Sequence, residues 1–74
     1  MNRFPARQRA IVAVLRAARE DAGLSQRALS EKLGEAPTYI HLIEALRRDV
    51  PVAEFMHIAR TLGLEPAELL RRVR

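Results

Sequence analysis

An all-α bundle of five short helices is the fold class this sequence predicts, on three observations. Apolar residues recur at spacings of three and four, as one face of a helix requires. Gly23, Gly34 and Gly63 stand just after such stretches, and Pro5, Pro37, Pro51 and Pro66 stand at their starts, the positions each residue type favours. No strand-like alternation, internal repeat or low-complexity tract is present.

Each element has its own local reason. Met1 to Phe4 are expected to fray, and Pro5 suits the first position of a helix, where a missing N–H costs nothing. Helix one then runs from Ala6, with Ile11, Leu15, Ala18 and Ala22 on one face and Gly23 closing it. Val12 and Val14 widen the apolar stripe, and extra core is preferred over a subunit contact as their role. Ser25 is a good N-cap for helix two, predicted from Gln26 to Leu33 with Ala28, Leu29 and Leu33 inward. Gly34 ends it, Glu35 and Ala36 form the turn, and Pro37 is predicted to start helix three with Ala36 as its extended cap.

In helix three, Ile40 and Ile43 fall on one side, while Thr38, His41, Leu42 and Ala45 fall on the other. Pro51 is predicted to open helix four, amphipathic through Phe55, Ile58, Ala59 and Leu62 and ended by Gly63. Leu64 is expected to be a core contact between helices. Pro66 opens helix five, which carries Leu69, Leu70 and Val73, and residues 71–74 read as a basic C-terminal tail.

Composition narrows the function classes. The 74 residues suit a single small domain, 49% hydrophobic and 30% charged, which is ordinary for a globular chain. The absence of cysteine excludes a disulfide framework and a cysteine-based zinc site. Thirteen basic against nine acidic residues leave a net charge of +4, which favours an anionic partner such as nucleic acid. The longest apolar run, Ala10 to Leu15, falls far short of a membrane span and lacks a signal-peptide cleavage site. A cytoplasmic location, bacterial or phage-encoded and nucleoid-associated, is therefore expected. His41 and His57 lack a third metal ligand, and Ser25 and Ser30 lack an organised base. No metal, cofactor or enzymatic activity is expected, because no acid–base or nucleophilic constellation is present.

The segments LSQRALSEKLG, YIHLIE and VAEFMHIARTLGLEPAELL together resemble the lambda-repressor-like (Xre/Cro-type) helix-turn-helix DNA-binding domain. The resemblance covers about Leu15 to Leu70, with the helix-turn-helix in residues 25–44. Its specific marks are Leu24-Ser25-Gln26, Leu33-Gly34, Ile43-Glu44, and Ala59 with Leu62-Gly63-Leu64. Each is weak alone and the set is specific. The resemblance implies a compact five-helix domain whose third helix reads the major groove of double-stranded DNA. Carried over by position, the base-facing set is Ala36, Pro37, Thr38, His41 and Leu42. The resemblance carries over Gln26, Arg47 and Arg48 as phosphate-facing, and Ser25, Arg27 and Tyr39 join that candidate set from their own chemistry and position, Tyr39 through its hydroxyl. It also implies a structural ion pair between Arg19 and Glu44.

The chain departs from the family pattern at several of these positions. Glu35 stands where an apolar turn residue is usual, and Ala36 where Ser or Thr caps the helix. Pro37 and Leu42 replace polar base-reading side chains. Ala45-Leu46 replaces the polar-glycine ending of helix three. Leucine resists positive φ by about 1 kcal/mol or more, so helix three is predicted to continue past Glu44 to around Leu46 or Arg48.

Two functions from different classes fit these residues. The first is a transcriptional regulator, a repressor binding a palindromic operator as a homodimer, with Leu69, Leu70 and Val73 as the candidate dimer contact. The second is a protein-interaction or antitoxin-like accessory module on the same fold, using Tyr39 and Leu42 as an exposed apolar face.

Overall fold

The computed structural model describes residues 6–74. Five helices lie in the order α1 (Ala6–Asp21), α2 (Gln26–Lys32), α3 (Tyr39–Glu44), α4 (Val52–Thr61) and α5 (Pro66–Arg71). The described residues contain no strand. The expected fraying of residues 1–5, and the helix-starting role of Pro5, lie outside the described residues.

In α1 the buried apolar residues are Val12, Leu15 and Ala18, three apart, with Ile11 and Val14 packed at their margin. The widened stripe is therefore core. Ala22 is exposed, because α1 ends at Asp21 and the chain turns away at Gly23. Ser25 caps α2 in an extended conformation, its Oγ accepting from the Ala28 N–H at 3.0 Å. Leu29 and Leu33 are buried and Ala28 is half-buried.

Three helix ends share one geometry built on a glycine. After α2, Gly34 at φ +74° donates to the Glu31 carbonyl and Glu35 donates to that of Ser30, both at 3.0 Å. This paired ending satisfies carbonyls that the helix leaves free. The chain repeats it at Gly23 and Gly63.

The end of α3 corrects the prediction that helix three continues to Leu46 or Arg48. Leu46 itself takes the left-handed position, at φ +59°. Its N–H reaches the Ile43 carbonyl at 3.0 Å, and the Arg47 N–H reaches that of Leu42 at 2.9 Å. The conformation costs a non-glycine residue about 1–2 kcal/mol. Leu46 is half-buried against the core, which offsets that cost by removing apolar surface from water.

The start of α3 also differs from the sequence prediction. Tyr39 N–H reaches the Ala36 carbonyl at 2.9 Å, and Thr38 sits at φ −95°, ψ 0°. Pro37 thus occupies the second position of a type I turn, which its fixed φ suits. The N-cap is Thr38 rather than Ala36, and the regular helix begins two residues after Pro37. Pro51 likewise serves as N-cap of α4 rather than its first helical residue. Arg71 is still helical and Arg72 is the C-cap of α5, so the tail is shorter than residues 71–74.

Tyr39, Ile40, Ile43, Phe55, Ile58, Ala59 and Leu69 complete the core. α3 packs chiefly on α2 and also on α1, while α5 packs on α4. Leu69 is 0% exposed. It belongs wholly to the core and drops out of the candidate dimer contact.

Candidate nucleic-acid interface

α3 turns two faces in opposite directions. Ile40 and Ile43 lie inward with Tyr39, and His41 is exposed while Leu42 is half-exposed. Ala36, Pro37 and Thr38, before the helix, are exposed, as is Ala45 just after it. The sequence-predicted base-facing set Ala36, Pro37, Thr38, His41 and Leu42 therefore lies along one short stretch of accessible surface. Thr38 and His41 can exchange hydrogen bonds, whereas Leu42 and Ala45 offer only apolar contact.

Two buried polar arrangements hold this helix in place. The first is at Ser30, which is 0% exposed. Its Oγ donates to the Gln26 carbonyl at 2.8 Å and accepts from the Ile40 N–H at 3.0 Å. One of the amides that α3 leaves free at its start is thus satisfied by α2. Ser30 has no place in the sequence-derived site, yet the signal for it is present. Gln26, Leu29, Ser30 and Leu33 follow the spacing that puts residues on the inward face of a helix.

The second arrangement centres on Glu44. Arg19 Nε donates to Glu44 Oε2 at 2.7 Å and Nη2 donates to Oε1 at 3.0 Å, a two-pronged pairing. Gln26 Nε2 donates to the same Oε1 at 2.8 Å, and Arg19 Nη1 donates to the Leu24 carbonyl at 2.8 Å. Hydrogen bonding to Glu44 pushes the Arg19 guanidinium above its ordinary pKa despite its burial. The end of α3 is thereby tied to α1, to the start of α2 and to the segment between them.

The side chains of the sequence-predicted phosphate-facing set have varied settings. Ser25 spends its oxygen on the α2 cap, and Gln26 spends its amide on Glu44. Arg27 is exposed, 3.5 Å from Glu31. Arg47 is exposed and has no ion-pair partner among the described residues. Tyr39 is only 6% exposed, and its hydroxyl donates to Glu54 in the first turn of α4. Burial and then Glu54 raise the Tyr39 hydroxyl above its ordinary pKa. Arg48 lies 4.9 Å from the centre of the Tyr39 ring, and its Nη2 donates to Glu54 Oε1 at 2.9 Å.

Burial of Tyr39 corrects the expectation of an exposed Tyr39–Leu42 apolar face. Tyr39 precedes Ile43 by four residues, so helical spacing places it on the core side. Leu42 alone remains at that surface. The described residues contain no cluster of three or more His, Cys, Asp or Glu side chains that could hold a metal ion, and no helix long and apolar enough to cross a membrane.

Residues 15–69 match the family profile for helix-turn-helix. Among solved structures, the chain is similar to an XRE-family like protein from Pseudomonas syringae pv. tomato. The identity is 34%, with a TM-score of 0.85 and coverage of 92% of this chain and 83% of that one. It is similar to the clp gene regulator ClgR from Corynebacterium glutamicum, at 29% identity and TM-score 0.81, covering 93% of this chain and 73% of that one. The hypothetical transcription factor NHTF from Neisseria has 29% identity and a TM-score of 0.75, with 95% of this chain and 84% of that one covered. No curated protein matches the chain.

Proposed function

The chain belongs to the XRE family of helix-turn-helix proteins, whose members are DNA-binding transcription regulators, and from that premise we propose that it is a repressor reading the major groove with α3. The observation that carries this reading is the accessible face of α3, held at a fixed angle by the Arg19–Glu44–Gln26 network. A recognition helix must present its side chains in one register to the base edges, and the network serves that end.

In this reading Thr38 and His41 make the hydrogen-bonding contacts to bases. Ala36, Pro37 and Leu42 shape the approach and touch thymine methyl groups. So short a set of hydrogen-bonding side chains leaves part of the specificity to the sequence-dependent shape of the duplex. Arg27, Arg47 and Arg48 supply attraction to phosphates that is independent of sequence. Ser25 and Gln26 stand at the backbone end of α2 in the same reading.

A single short helix buries little surface, so two copies on a palindromic operator are proposed, with half-sites about 34 Å apart. Leu70, 54% exposed, and Val52, 76% exposed, flank an apolar groove of about 340 Å³ that also includes Ile11, Phe55 and Met56. This surface, with half-buried Val73 near the end of α5, is the proposed self-contact. Arg60 and Glu65 on the same groove supply opposite charges that a two-fold arrangement can match.

Selection from a random duplex library, with the bound complex sized by light scattering, tests the proposal. A two-fold symmetric motif bound by two chains is expected. A library that emerges unenriched would refute sequence-specific DNA binding.

A further inference from the structure

Arg47 and Arg48 are adjacent and both exposed, but their surroundings differ. Arg47 is free of ion pairs among the described residues, whereas Arg48 is held on two sides. The Tyr39 ring, at the first residue of α3, lies under its guanidinium, 4.9 Å away. The Glu54 carboxylate, in the first turn of α4, accepts from its Nη2 at 2.9 Å. The same oxygen, Oε1, also accepts from the Tyr39 hydroxyl. One carboxylate oxygen therefore fixes both the ring and the cation resting on it.

We infer that Glu54 is a positioning residue for a DNA-phosphate contact made by Arg48. The inference rests on the phosphate-facing placement of Arg48 proposed above. A free arginine side chain loses conformational freedom when a phosphate captures it, which weakens the contact. Here part of that loss has been met by folding. Only one of the five guanidinium N–H groups is used by Glu54, so donors remain for a phosphate oxygen pair. Arg48 keeps 45% of its side chain exposed, as such a contact requires.

A simple charge argument gives the opposite sign. An acidic side chain beside a phosphate-binding arginine repels DNA and neutralises part of the cation, so removing it should tighten binding. Two features argue against that outcome. Glu54 is the less exposed partner, at 28% against 45%. Its charge is already met by two donors, and that hydrogen bonding, from Tyr39 first and then Arg48, holds its carboxyl below the usual carboxylate range. Ordering of the cation therefore outweighs the repulsion.

A double-mutant cycle on the full chain decides the sign. Binding to mixed-sequence duplex DNA is measured for the native chain, Glu54→Ala, Arg48→Ala and the double variant. Glu54→Ala is expected to weaken binding roughly two- to tenfold in the native background. In the Arg48→Ala background it should have no effect or tighten binding. Equal loss in both backgrounds would show that Glu54 acts through the fold alone and would overturn the inference. Unchanged or tighter binding by Glu54→Ala with Arg48 present would also overturn it.

Tyr39 is the single tyrosine in a chain without tryptophan, so its fluorescence gives a second readout. Loss of the carboxylate should change its emission while Arg48→Ala largely preserves it, and an unchanged emission in Glu54→Ala would contradict the contact itself. Failure of the native chain to bind any duplex is read separately. It would remove the DNA-binding premise, and the inference with it, whatever the fluorescence shows.

Discussion

At the scale of single residues, the polar groups inside this small core are the most exacting part of the design. Ser30 is wholly enclosed and serves two backbone partners at once. Ser30→Ala removes the acceptor for the Ile40 N–H and leaves that amide buried without a partner. A loss of about 1–3 kcal/mol is expected, read from denaturant unfolding. An unchanged midpoint would show that water or a shifted backbone satisfies the amide. Arg19 and Glu44 are also nearly enclosed, at 10% and 5% side-chain exposure. Removal of either strands a charge away from water. The pairing of Arg19 with Glu44 was implied by family resemblance. The addition of Gln26 to the same carboxylate, and the burial of Ser30 and Tyr39, were not read from the sequence. Helical spacing put Ser30 and Tyr39 inward, but hydroxyl-bearing side chains also suit an exposed face, and only the packed neighbours decide between the two.

At the scale of elements, the chain's helices were legible wherever glycine and proline mark their ends. The two largest departures at helix boundaries both belong to α3, while those at Pro51 and Arg71 amount to one residue each. Pro37 favours a helix start and a type I turn equally well through its fixed φ, so local chemistry could not separate them. At Leu46, strain local to the backbone argued for a longer helix, and packing of the same side chain against the core outweighed it. A pair of variants separates these terms. Leu46→Ala and Leu46→Gly lose almost the same packing. If Leu46 is left-handed, the glycine variant should be the more stable by about 1 kcal/mol, since only it escapes the φ strain. If helix three continued through this position, the order would reverse by a similar amount, because glycine weakens a helix interior.

Tyr39, Arg48 and Glu54 join the start of α3 to the start of α4, and their link depends on pH. Glu54 is held below the usual carboxylate range in the folded chain. Its contribution to stability is therefore complete above the unfolded carboxylate pKa and is lost as pH falls through the lowered folded value. The gap in Tm between the native chain and Glu54→Gln should be widest near neutral pH and should close in acid. A gap that persists unchanged in acid would contradict the assignment.

At the scale of the whole molecule, five short helices hold one outward strip of Ala36, Pro37, Thr38, His41, Leu42 and Ala45 over a core drawn from every element. The fold was legible almost entirely, because it rests on apolar spacing and helix punctuation along the chain. The accessibility of the candidate binding face was legible as a set of positions, because residues pointing away from Ile40 and Ile43 face outward. Helix five was legible only in part. Leu69 and Leu70 are neighbours and cannot share one face, but the sequence does not say which one the core takes. The structure buries Leu69 and leaves Leu70 beside the apolar groove. Leu70→Glu should yield monomers in sedimentation and weaken operator binding while leaving Tm nearly unchanged. A dimer that survives this change places the self-contact elsewhere.

The claim that α3 reads base edges is tested most directly by repeating the random-duplex selection with the Thr38→Ala, His41→Ala double variant. The variant is predicted to keep its affinity for mixed-sequence DNA but to select a motif altered at a few positions, the same in each half-site. A motif identical to that of the native chain would contradict direct reading by α3.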